Sequence, residues 1–225
     1  KLIALQLKSA DPNGMNKDTE EVVEVVKDVS NNINVPLIVW GTSNDEKDIE
    51  LLRRVAEVCE GKNIALGPVS EKNYKQIGAM AIGYNHVVMA SSPIDVNLAK
   101  QLNILLGNLG VPDERIIIDP TTGGLGYGIE YTYSVMERDR MAALTQEDVK
   151  LQYPVICNIA NEVWKARETR LTKDEDPKLG DERKRSVLME AIASMTLLIA
   201  GADVLIMRHP DSIALIDEMI ATLTT

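Results

Sequence analysis

The stretch Asp119-Pro120-Thr121-Thr122-Gly123-Gly124-Leu125-Gly126-Tyr127-Gly128 follows the apolar run Arg115-Ile116-Ile117-Ile118 and precedes a helical pattern that opens at Ile129. The run reads as a short buried strand, which makes the stretch a strand-to-helix loop. Four glycines within six residues remove Cβ bulk and open left-handed backbone, so several N–H groups can face one concavity ahead of a helix. Asp119 closes the strand, where a carboxylate needs a hydrogen-bonding partner or a ligand. Two readings stay open on the loop alone: a tight turn with Asp119 as its local cap, or a loop built to touch a ligand.

The same strand–loop–helix unit recurs on both sides. Leu2 to Leu7 reads as a strand with a polar turn from Lys8 to Gly14, followed by a helix capped by Asp18 and Glu21 with Val22, Val25, Val26 and Val29 as its apolar stripe. Pro36 to Trp40 is a second strand, and Ser43 with Glu46 predicts the cap of a helix carrying Ile49, Leu52, Ala56 and Cys59. Asn63 to Leu66 is a third, ended by Gly67-Pro68-Val69-Ser70, before a helix through Tyr74, Ile77 and Ala81 that Gly83 should stop. His86 to Ala90 is a fourth, with Ser91-Ser92-Pro93-Ile94-Asp95 as a helix start and Leu98, Leu102, Leu105 and Leu109 as the stripe. Beyond the glycine loop a longer helix runs through Ile129, Met136 and Leu144, and Val155 to Asn158 is a sixth strand. A charge-rich excursion from Glu168 to Arg185 reads as a surface loop. The pattern then resumes with Leu188, Ala191, Ile192, Met195, Leu198 and Ile199, the most apolar helix, before the strand Asp203 to Met207 and a last helix with Ile213, Ile216 and Ile220.

Units without hairpin signals imply parallel strands returning by helical crossovers. Strands apolar throughout are buried on both faces, and the even spacing without a Gly-x-Gly-x-x-Gly first turn favours an α/β fold of the TIM (β/α)8 barrel type. Seven units are legible, so the first strand and helix are expected upstream of Lys1, with residues 1–225 forming a single barrel domain excerpted from a longer chain.

Composition narrows the function classes. A net charge of −10 and a pI near 4.8 argue against nucleic-acid and anionic-membrane partners. The two cysteines, Cys59 and Cys157, match no metal or redox spacing, fit a reducing cytoplasm, and are too few for an iron–sulfur cluster. His86 begins a strand and His209 ends one, which speaks against a His/carboxylate metal site.

In a barrel of this type the active site lies at the carboxyl ends of the strands, so the exits give a rim: Ser9, Asp11, Asn13, Thr42, Ser43, Ser70, Ser91, Ser92, Asp119, Thr121, Thr122, Asn158, Arg208 and His209. This set is rich in hydroxyls and amides and poor in cations, which suits a neutral, amide-bearing or heterocyclic ligand better than a polyphosphate. Asp11, Ser43 and Ser92 are equally readable as caps or turn formers. Arg208 calls for an anionic partner, either a ligand or a carboxylate such as Asp11 or Asp119.

The segments Leu5 to Gly14, Asp119 to Thr132, Asn161 to Ala166 and Met207 to Pro210 resemble the small (delta) subunit of the corrinoid iron–sulfur protein that works with carbon monoxide dehydrogenase/acetyl-CoA synthase. The resemblance spans essentially the whole chain. It implies a barrel paired with a large (gamma) subunit that carries a [4Fe–4S] cluster and a cobalamin-binding domain, with the corrinoid held between the two. A methyltransferase would load a methyl group from a methylated pterin, and acetyl-CoA synthase would remove it. On this reading the corrin's amide side chains meet Asp119, Thr121, Thr122, Gly123, Gly124, Leu125, Gly126, Asn158, Arg208, Ser9 and Asn13, and the cofactor carries the chemistry while the protein orients and shields it. No Asp-x-His-x-x-Gly signature for a cobalt-ligating histidine occurs. The competing expectation is a pterin-binding methyltransferase barrel, with Asp119 and Asn158 bonding a pterin's amino-pyrimidine edge.

Overall fold

Strand and helix alternate from end to end in the computed structural model, which describes residues 1–224. The chain packs as two units. The first comprises Lys1–Ser92, Asn97–Asp119 and Val149–Tyr153, and the second Pro93–Val96, Pro120–Asp148 and Pro154–Thr225.

In the first unit β1 (Ile3–Gln6), β2 (Leu37–Trp40), β3 (Ala65–Val69), β4 (Val87–Ser91) and β5 (Ile116–Asp119) form one sheet in sequential order. Every neighbouring pair is parallel. The crossovers are α1 (Thr19–Asn32), α2 (Asp45–Val58), α3 (Tyr74–Tyr84) and α4 (Val96–Leu109). Leu37, Ile38, Val39 and Trp40 are all buried, as a strand covered on both faces requires. In the second unit β6 (Ile156–Asn158) and β7 (Val204–Ile206) pair in parallel, with α5 (Ile129–Thr145), α6 (Ile159–Val163), α7 (Glu182–Ile199) and α8 (Pro210–Leu223) around them. Parallel strands in chain order with a helix at each return are the TIM-type α/β arrangement that the periodicity predicts. Among the described residues no helix is long and apolar enough to cross a membrane.

Several local expectations shift. The cap of α2 is Asn44, whose side chain accepts from the Lys47 N–H, because Ser43 is turned into left-handed backbone at φ 68°. Helix α3 runs through Gly83 and ends at Asn85 (φ 61°), a residue that tolerates this conformation. Strand β3 continues through Gly67 and Pro68 to Val69, where a side chain on Gly67 would lie 2.8 Å from the Met89 Cβ, so only glycine lets β4 approach. Pro93 and Ile94 form a turn rather than a helix start, and α4 begins at Val96. Its buried stripe is Ala99, Leu102, Asn103 and Leu106, with Leu109 exposed. In α1 the buried valines are Val22, Val23 and Val26, while Val25 faces out.

The largest inversion concerns α7. Leu188, Ile192 and Ile199, expected inward, are 52%, 54% and 65% exposed, and the buried face is Ser186, Val187, Glu190, Ala191, Ala193, Ser194 and Leu197. Small residues let helices approach closely: α7 packs against α6 and α8, and the Ser212 hydroxyl of α8 donates to the Val187 carbonyl at 3.1 Å. Leu144 of α5, also expected inward, is 77% exposed. The excursion after Glu168 is tied down rather than loose, since the Arg185 guanidinium donates to the carbonyls of Glu168 (2.6 Å), Leu179 (2.8 Å) and Leu171.

One buried carboxylate lacks any hydrogen bond among the described residues. Asp139 of α5 is 1% exposed, and neither carboxylate oxygen has a hydrogen-bond partner among the described residues. Burial pushes its pKa up to about 6, with Asp95 adding to the rise and Arg138 and Arg140 opposing it. The native state therefore holds this proton more tightly than the unfolded chain does, so stability falls as pH rises from the ordinary carboxylate range through about 6 and stays reduced above it. Asp139→Asn should raise the unfolding free energy at pH 8 by on the order of 2 kcal/mol, a gain that vanishes near pH 3.5. Denaturant titrations of both proteins at the two pH values check this, and an equal effect at both would refute the assignment.

Candidate functional site at the strand exits

The loop after β5 is shaped by backbone contacts that exclude side chains. A Cβ on Gly123 would lie 2.4 Å from the Gly128 carbonyl oxygen, so the two ends of the loop touch and residue 123 has no room for a side chain. The Gly124 carbonyl accepts from the Tyr127 N–H (2.9 Å) and the Ile129 N–H (3.0 Å), closing the loop onto the first turn of α5. Gly126 and Gly128 occupy left-handed backbone at φ 74° and 95°, and Thr121 does so at 63°. The sequence had all of these N–H groups available to a ligand. In the structure those of Gly123, Tyr127 and Ile129 are engaged within the loop and helix.

Thr132, fully buried on α5, holds the loop from below. Its hydroxyl accepts from the Gly123 N–H (2.8 Å) and donates to the Thr121 carbonyl (3.0 Å). Thr122 turns the other way, and its Oγ1 accepts from the Asn158 N–H at 2.9 Å. This bond joins the glycine loop to the end of β6. Asn158, itself buried, caps α6 by accepting from the Asn161 N–H at 3.2 Å. At the loop tip the exposed Tyr127 hydroxyl donates to Glu168 at 2.9 Å. Its phenol is accordingly raised, first by that hydrogen bond and then by burial.

The β7 exit is organised by a residue the periodicity did not flag. Glu190 sits on the inner face of α7 with no exposed surface, and its carboxylate accepts from the Trp164 indole N–H (2.9 Å), the Arg208 N–H (2.7 Å) and the His209 N–H (3.0 Å). Trp164 stacks on His209 with ring centroids 5.8 Å apart and planes 14° from parallel. The Arg208 guanidinium lies over the same indole at 5.2 Å. The one cue in the sequence was a glutamate inside the otherwise uncharged run from Val187 to Ile199.

Of the predicted rim, Thr121, Thr122, Gly123, Gly124, Leu125, Gly126, Asn158 and Arg208 all belong to the second unit, at the carboxyl ends of β5, β6 and β7. Ser9, Asn13 and Asp119 belong to the first. There the Ser9 carbonyl accepts from Lys17 (2.8 Å), Asn13 donates its N–H to Asp11 (2.8 Å), and Asp119, 3% exposed, accepts the Ser92 N–H (2.9 Å) on its carbonyl. Asp11 is thus a turn former. Also in the first unit, the buried Asp48 accepts from the Thr42 N–H and hydroxyl, both at 2.8 Å, and the Ser43 N–H at 2.9 Å, fixing the β2 exit. Burial nevertheless leaves its carboxyl above the ordinary value. Cys59 and Cys157 are both buried and form no disulfide with each other, as their spacing suggested.

Comparison with known proteins adds the following. Residues 1–224 match the family described as CO dehydrogenase/acetyl-CoA synthase delta subunit. Delta subunits of the acetyl-CoA decarbonylase/synthase complex are 37% identical in Methanopyrus kandleri (over 96% of this chain and 53% of the relative) and 33% identical in Methanocaldococcus jannaschii (100% and 54%). The chain thus spans about half the length of the curated relatives it matches. Dihydropteroate synthases share the fold. That of Xanthomonas albilineans superposes with a TM-score of 0.66 at 15% identity, over 99% of this chain and 79% of that one. That of Thermus thermophilus gives 0.63 at 16%, over 100% and 83%.

The loop geometry predicts unequal tolerance among its glycines. Gly123→Ala should cost several kcal/mol through its backbone clash, whereas Gly126→Ala, with open space around its Cβ, should cost only about 1 kcal/mol from left-handed strain. Chemical denaturation of the two variants gives the ranking, and the reverse order would contradict the loop described here.

Proposed function

This chain belongs to the CO dehydrogenase/acetyl-CoA synthase delta subunit family, and we propose that it is the corrinoid-holding subunit of a heterodimeric methyl carrier, the small subunit of a corrinoid iron–sulfur protein. Its partner is a large (gamma) subunit bearing the [4Fe–4S] cluster, and the cobalamin is shared between the two. A methyltransferase supplies the methyl group from a methylated pterin, and acetyl-CoA synthase takes it, in whichever direction acetyl-CoA is made or cleaved.

The observation that carries this reading is the rigid junction of the glycine loop with β6. Thr122 and Asn158 are locked to each other, the Asn158 carbonyl side is committed to α6, and Thr132 fixes the loop backbone. The groups that build this junction are uncharged, and what it leaves for a ligand, such as the Asn158 side-chain amide NH2 and the loop N–H groups not used within it, is uncharged too. A corrin ring, ringed by neutral amide arms and apolar between them, fits that chemistry better than a polyphosphate does. The chemistry a corrinoid would supply is methyl carriage on cobalt. The chain's own part is to orient the macrocycle, to exclude water around it, and to do so without rearrangement, since its groups are already held. Two buried cysteines are fewer than the four ligands of a [4Fe–4S] cluster, which supports assigning the cluster to the partner.

Thr122→Val removes the acceptor for the Asn158 N–H, orphaning a buried donor at a cost of about 1–3 kcal/mol. Full-length subunit, mixed with its large subunit and cobalamin, should retain the corrinoid through gel filtration, and the variant should retain it about tenfold less tightly. Undiminished retention would sink the assignment. Calorimetric titration with methyltetrahydrofolate covers the pterin-binding alternative, which tight binding by this subunit alone would favour.

A further inference from the structure

Arg208 is held in a way that a merely solvated arginine is not. Its own N–H and that of His209 are fixed by the buried Glu190 carboxylate, and its guanidinium is laid flat over an indole that the same carboxylate orients. Yet the guanidinium itself is exposed, and no carboxylate takes it among the described residues. Three other arginines of this unit are engaged. Arg140 holds Asp203 (2.5 Å), Arg183 holds Asp211 (3.0 Å), and Arg185 holds backbone carbonyls. Arg208 thus combines a backbone held by a buried carboxylate with a guanidinium that has no ion pair among the described residues.

His209 adds a second donor of fixed identity. Its Nδ1 accepts from the Asp211 N–H at 3.1 Å, which places the neutral ring's proton on Nε2. The nearby Asp211 carboxylate lies 3.8 Å from Nδ1 and is itself bound by Arg183. A forked cation and an N–H donor thus share one aromatic plate, braced from behind by a carboxylate whose three hydrogen bonds all go to N–H groups other than the guanidinium.

We propose that Arg208 and His209, carried on Trp164 and braced by Glu190, form a receptor for an oxyanion, either a phosphate diester or a carboxylate, on the ligand that the strand exits take. Arg208 and His209 touch the anion, and Glu190 is a positioning residue that acts through Trp164 and the two backbone N–H groups. The planar guanidinium matches two oxygens of one anion, which a lysine at this position could not do. The source of the anion rests on the corrinoid reading above, whereas the anion site itself does not.

The test has two arms. In the first, indole fluorescence of the full-length subunit is titrated with inorganic phosphate and with acetate, with ionic strength held constant by chloride. A saturable response is expected. It should be lost in Arg208→Met and weakened about tenfold in both Arg208→Lys and Glu190→Gln, the loss expected from one charge-assisted hydrogen bond. Circular dichroism confirms that Glu190→Gln is folded, and Arg208→Met, at an exposed position, provides the result should that variant fail. A response that chloride alone reproduces, or that persists in Arg208→Met, overturns the proposal. In the second arm, the subunit pair is loaded with cobalamin or with cobinamide, which lacks the nucleotide-loop phosphate. Retention of cobalamin reduced by Arg208→Met while cobinamide is held as before supports the site and assigns the anion to the corrinoid's phosphodiester. With an intact acetate response, unchanged retention of both supports a carboxylate-bearing ligand instead. Failure of the wild-type pair to hold either corrinoid counts against the corrinoid reading alone, because the first arm still judges the anion site.

Discussion

A carboxylate with no exposed surface persists in a folded protein only when hydrogen bonds replace the water it gave up, and Glu190 has three of them. The geometry of the β7 exit follows from that requirement. Because two of the donors are consecutive backbone N–H groups, the turn from β7 into α8 cannot shift without stranding the charge. Because the third is an indole N–H from the end of α6, the aromatic plate is fixed relative to the same turn. An apolar residue at this position would fill the space, but it would leave three N–H donors without their acceptor.

The same solution appears elsewhere in smaller form. A strand that ends ahead of a helix leaves N–H groups that neither ladder nor helix satisfies. At the β2 exit Asp48 accepts two of them and a hydroxyl; at the β5 exit Thr132 accepts one, and at the β6 exit Thr122 accepts one. In each case the acceptor is buried and comes from a helix or from a neighbouring exit, so the loops are set by the packed elements rather than by their own sequence. Asp139 shows the contrast: equally buried but without a donor, it is driven toward the protonated form.

Fold and family speak to different levels of this molecule. The likeness to dihydropteroate synthases, at 15–16% identity, establishes a shared architecture and nothing of the ligand. The family match rests on sequence along the whole chain, and the relatives run to about twice its length. What distinguishes one barrel of this class from another is the chemistry at the strand exits. Here that chemistry is mostly neutral, with one stacked guanidinium standing apart.

The amino-acid order by itself determined the alternation of strand and helix, the parallel sheet and the placing of the glycine loop at a strand's carboxyl end, because period-2 and period-3.6 burial and the demand for left-handed backbone are local. It also brought Thr122, Asn158 and Arg208 onto one list, since each ends a strand. It could not find Glu190, Thr132 or Asp48, which lie inside helices and matter only through the exits they reach. Nor could it tell which side of α7 is inward: Leu188 and Ile192 look like core, yet the small and polar face is the one that packs. Only the tertiary structure decided these points. Whether a helical residue is buried, and which N–H it satisfies, depends on neighbours tens of residues away along the chain.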